Sequence, residues 1–202
     1  FRNDVRFIGA GTIGVAALWS LLRILGPIIR GIRAAMAAAN ARKSGQALEL
    51  TERDLPISIV GGTILALLLP IAGLLSVFAA DTAIADGIVP VILGTLVYVL
   101  VIGVVIASVC GYMAGLIGAS NSPVSGVGIL AVLGAALLLV LVYGRGGTVE
   151  QTQALIAYAI FTTGIVFSIA TISNDNLQDL KTGQLVGATP WKQQVALVIG
   201  VI

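Results

Sequence analysis

The residues Ser173 to Trp191, SNDNLQDLKTGQLVGATPW, gather most of the polar chemistry of an otherwise hydrophobic chain. Asn174, Asn176 and Gln178 supply amide donors and acceptors, Asp175 and Asp179 supply carboxylates, and Lys181 supplies an ammonium group. Polar groups at the edge of hydrocarbon are costly, so their concentration here marks a candidate site. On a helix, residues four apart share a face: Asp175 stacks with Asp179 and Asn174 with Gln178, while Leu177 and Leu180 fall on the other side. Gly183 is expected to end this turn in a left-handed conformation, and Thr189-Pro190 to cap and start the next helix. The expected form is helix, break, helix.

A second candidate lies in CGYMAGLIGASNSPVSG, where Asn121, Ser122 and Ser125 accompany Pro123 and several glycines. Proline and glycine free backbone groups that survive at membrane depth only where protein or water satisfies them. The alternative is a tight turn between two helices, with Ser122-Pro123 starting the second.

The elements that must hold these residues follow from composition. The chain has 202 residues, of which 58% are hydrophobic and 10% charged, and its mean hydropathy is +1.08. Soluble domains carry about a quarter charged residues, so this is an integral membrane protein. Its long apolar runs do not alternate as barrel strands do, and the fold class is all-α, a polytopic transmembrane helix bundle of about six hydrophobic spans with broken or re-entrant segments. The lone Cys110 offers neither a disulfide nor a cysteine metal site. A net charge of +2, with basic residues beside apolar runs, argues against nucleic acid as a partner; the lipid bilayer is the partner that composition dictates.

The spans are read at 7–29, 57–78, 88–119, 124–143, 152–172 and 195–202, the last cut short, within one transmembrane region covering 1–202. The first carries Gly9, Gly11, Gly14 and Gly26, small residues that let helices approach closely, with Pro27 kinking or ending it and Arg23 anchoring at the headgroups. The loop 30–56 holds Arg30, Arg33, Arg42, Lys43 and Arg53 and is therefore cytoplasmic by the positive-inside rule, whereas the turn with Asp81 and Asp86 is placed outside. The segment 88–119 exceeds the about twenty residues needed to cross, so it must tilt, break or re-enter. With Phe1 first and an apolar run at Ile202, the sequence reads as a piece of a longer protein.

At this point the residues resemble a known family. The strings CGYMAGLIGASNSPVSG and ISNDNLQDLKTGQLVGATPWKQQVALVIG are similar to regions of the oligopeptide transporter superfamily, particularly its prokaryotic members. Yellow-stripe-like metal-chelate transporters have a related Asp-Leu-x-Gln-Asp-x-Lys-Thr-Gly pattern, of which this chain keeps Gln178, Asp179, Lys181, Thr182 and Gly183. RFIGAGTIGVAALWSL also fits a span of such proteins, and the chain would be about a third of a full-length member. The resemblance implies a secondary-active, proton-coupled importer of oligopeptides or metal-chelate complexes in the cell membrane, the inner membrane of a Gram-negative source. It implies no enzyme activity, no cofactor and no resident metal; a homo-oligomer stays open.

Under that reading Asn121, Ser122, Ser125, Asn174, Asn176, Gln178 and Lys181 are candidate substrate contacts, since amides and hydroxyls can bond peptide amides or chelate carboxylates. Asp175 and Asp179 are the candidate proton carriers, because carboxylates one turn apart resist holding two charges and no histidine exists to share the task. The competing role for Asp179 and Lys181 is a structural pair at the interface. Among other classes, a channel or the permease subunit of an ATP-driven importer fits the composition. An intramembrane aspartyl protease is a remote alternative, because it would need its two acids on separate helices.

Overall fold

The computed structural model describes residues 4–43, 49–145 and 147–201, and within them it forms six α-helices joined by short connections. They are α1 (Asp4–Lys43), α2 (Ile57–Ala80), α3 (Ile88–Ile117), α4 (Val124–Tyr143), α5 (Val149–Leu185) and α6 (Pro190–Val201). The first five contain stretches long and apolar enough to cross a membrane, and the chain is a multi-pass membrane protein.

Apolar residues that the bilayer accepts cover the outside, as at Leu141, Leu69 and Val77, which are 83%, 77% and 75% exposed. The interior is built on α3 and α5, the most extensively packed pair, with α4 against both, α1 against α4, and α2 against α3. One apolar cluster joins Leu75, Val91, Leu139 and Tyr158 near the α2–α3 connection; a second joins Val99, Cys110, Val127 and Val166 farther along. Phe78 and Phe161 stack with their ring centroids 4.3 Å apart, tying α2 to α5.

Small residues set the crossings, because helices in lipid associate by close packing and not by a hydrophobic drive. A side chain at Gly103 would meet Ile169, one at Gly111 would meet Leu177 and Ser173, and one at Gly128 would meet Phe167. At Gly126 the neighbour is Ala17 of α1. The first span uses its glycines sparingly: Gly14 faces Ile129, whereas Gly9, Gly11 and Gly26 have open space beside them. Pro27 neither ends α1 nor stops it short of the basic stretch, since the helix continues to Lys43.

The long third segment is an unbroken helix. Its 30 residues rise about 1.5 Å each, so α3 is longer than the about 30 Å of hydrocarbon and must tilt or protrude. The break falls after it, where Gly118 takes a φ of +87° that favours glycine and its N–H caps α3 on the Ala114 carbonyl. A short 3-10 turn, Ala119–Asn121, then leads through Ser122 and Pro123 into α4.

Candidate functional site

The polar stretch that begins at Ser173 does not form a separate turn. It is the last third of α5, a helix of 37 residues. Its start is fixed by a capping box, in which the Thr148 hydroxyl accepts from the Gln151 N–H and the Gln151 side chain accepts from the Thr148 N–H. Its end is not at Gly183. Gly187 adopts the left-handed conformation, with a φ of +76°, and the Ala188 N–H donates to the Gly183 carbonyl at 2.8 Å while the Gly187 N–H donates to Gln184 at 3.2 Å. These two bonds are those of a Schellman motif with Gly187 at its centre. Gly183 is buried in the helix with the Gln193 amide packed where a side chain would stand, so it serves close approach. The following helix begins at Pro190.

Three residues on one stripe of this helix hold the α3–α4 connection. The Ser173 hydroxyl donates to the Ala107 carbonyl of α3 at 2.6 Å. The Asn174 amide donates to the Ala119 carbonyl at 3.2 Å, and the Gln178 side-chain oxygen accepts from the Ala119 N–H at 3.3 Å. Both backbone groups of Ala119 are therefore satisfied by α5 side chains, so the opening of the helix leaves neither unpaired. The approach is allowed by Gly111, whose missing side chain makes room for Ser173 and Leu177.

Asn174 is 6% exposed, and its side-chain oxygen has no hydrogen-bond partner among the described residues. The same holds for the buried hydroxyl of Ser122. Unsatisfied buried acceptors and donors cost about 1–3 kcal/mol each, so these are groups with bonding capacity to spare. Ser125 is exposed in the first turn of α4. Asn121 has its backbone in the 3-10 turn, and its side chain lies outside the described part of the structure.

The remaining candidates face away from this clasp. Asp175 and Asp179 are exposed on the same side of α5, Asn176 is half-buried, and neither carboxylate has a partner among the described residues. Lys181 is exposed and donates to the Gln184 side chain at 2.9 Å. It does not pair with Asp179: positions two apart on a helix point in different directions. Among the described residues no group of three or more His, Cys, Asp or Glu side chains is placed to hold a metal ion.

A third connection joins the site from the α1–α2 side. The Arg53 carbonyl accepts from the Trp191 N–H at 3.0 Å. Gln194 accepts from the Leu55 N–H at 2.9 Å and donates to the Asp54 carboxylate at 3.1 Å. The sequence reading favoured a connecting loop for this segment and gave no individual role to Ser173 or Gly111.

The arrangement places two polar connections and a carboxylate-bearing helix face at one end of a membrane bundle, with spare hydrogen-bonding capacity and no metal-binding cluster among the described residues. Comparison with known proteins gives this end a context. The family model described as OPT oligopeptide transporter protein matches residues 1–202. A relative from Haemophilus influenzae, named "Putative oligopeptide transporter", is 42% identical over 208 residues, which cover 99% of this chain and 32% of the relative. The chain thus spans about a third of the curated relative it matches. No solved structure matches it.

Proposed function

The chain belongs to the OPT oligopeptide transporter family, and from that premise we propose that it forms part of a secondary-active, proton-coupled importer of oligopeptides or metal-chelate complexes. The observation that carries this reading is the clasp of Asn174 and Gln178 on Ala119, which brings the two polar stretches together. In secondary transporters, interrupted helices and their free backbone groups commonly line the substrate path.

Ser122, Ser125 and Asn121 on the α3–α4 connection, with Asn174, Asn176 and Gln178 on α5, supply hydrogen bonds to substrate amides or carboxylates. Lys181 offsets negative charge on the substrate. Asp175 and Asp179 couple transport to protons, since their common face is open to whatever completes the pathway. The basic segment of α1 and the short turn Leu50–Glu52 that precedes α2 lie on the cytoplasmic side, which puts the site at the cytoplasmic end of the bundle.

Uptake by the full-length protein in liposomes tests this. With an imposed inward proton gradient and no ATP, a small peptide or an iron chelate should accumulate inside, and collapsing the gradient should stop accumulation. Accumulation that requires ATP and ignores the gradient would instead identify a permease of another mechanism.

A further inference from the structure

Toward the α4–α5 link, α4 and α5 leave between them an almost wholly apolar groove of about 490 Å³, lined among others by Ala136, Leu139, Tyr143, Leu155 and Ile156. It lies at the opposite end of the bundle from the polar connections, beside the link between α4 and α5. Its volume is within the about 300–1,000 Å³ range of small-molecule sites. At its mouth stands Arg145, exposed and without an ion-pair partner among the described residues. Glu150, also at this end, does not line the groove. Tyr143, in the last turn of α4, is half-buried beside it.

We propose that this groove binds one anionic phospholipid, its acyl chain between α4 and α5 and its phosphate on the Arg145 guanidinium. The two ends of the groove call for different chemistry. The apolar walls need hydrocarbon, and the guanidinium matches phosphate oxygens through paired N–H donors. A phospholipid satisfies both ends at once. Basic pockets between membrane helices bind acidic headgroups on this principle.

The test uses the full-length protein in mild detergent with equal amounts of phosphatidylglycerol and phosphatidylcholine, read by native mass spectrometry. The protein should retain one phospholipid, with phosphatidylglycerol enriched about fivefold, the effect of one basic residue near a membrane surface. Arg145→Gln should abolish the enrichment. Ala136→Trp, which fills the groove, should reduce retention of both lipids at an unchanged melting temperature. A photoreactive residue at Ile156 reads the site directly, whether or not the tryptophan variant folds: adducts with lipid support the proposal, and crosslinks only to other segments of the polypeptide overturn it. Equal enrichment in the parent and Arg145→Gln also overturns it.

Discussion

At the scale of single residues, the polar groups of α5 divide into those that hold the fold and those left free. Ser173, Asn174 and Gln178 hold the α3–α4 connection by hydrogen bonds to its backbone and to α3. Asp175 and Asp179 have no such duty, so their presence on a membrane protein with few charges points to work done elsewhere. Under the proton-coupled reading, Asp175→Asn should abolish accumulation driven by a pH gradient while keeping exchange of labelled substrate across the membrane. Asp179→Asn should weaken transport at an unchanged melting temperature, because the carboxylate touches nothing that the fold depends on. Full accumulation by Asp175→Asn would place the proton elsewhere, on Asp179 or on a residue outside this chain.

At the scale of elements, the decisive contact is the crossing of α3 and α5. Gly103 and Gly111 face Ile169 and Leu177, and both pairs are 66 residues apart, so one register runs along the two helices. Ser173 and Ala107 obey the same spacing. Side chains of α5 can reach the backbone at Ala119 only while this distance is kept. Gly111→Val should therefore force the helices apart and destabilise the protein by about 1–3 kcal/mol, as overpacking does in well-filled interiors. Denaturation in detergent measures the stability, and uptake should fall together with it; an unchanged midpoint would mean that the crossing tolerates a wider spacing.

At the scale of the whole molecule, successive crossings bring three connections to one end: the segment before α2, the α3–α4 connection and the α5–α6 connection. Hydrogen bonds among them, from Trp191 to Arg53 and from Asn174 to Ala119, make that end a single polar surface. Under the proposed orientation this end is cytoplasmic, since Arg30, Arg33, Arg42, Lys43 and Arg53 precede α2 whereas Asp81 and Asp86 sit at the far end. Cys110 is the sole cysteine of this chain and is buried, so it does not compete with thiols introduced here. In intact cells a membrane-impermeant maleimide should label Ala83→Cys and spare Glu52→Cys. The opposite pattern would invert the orientation and move the site outside.

The sequence by itself determined the class, the succession of apolar helices and the two polar stretches, because hydropathy and charge are local properties that one element expresses without its neighbours. Recognition of the family came from the same source, through short strings whose residue types are unusual in hydrocarbon. Tertiary structure decided which polar groups are spoken for. Gly183 and Gly187 are equally good stop signals in a one-dimensional reading. Gln193 of α6 occupies the space beside the first, so only the second is free to turn the chain. Likewise Asp179 and Lys181 look like a pair by spacing, yet helix geometry separates them and Gln184 takes the ammonium group. Asn174 and Asp175 are neighbours in sequence with opposite fates, one buried against Ala119 and one exposed. The reason is the side of α5 on which α3 lies, which depends on glycines some sixty residues earlier and is set only when the helices pack.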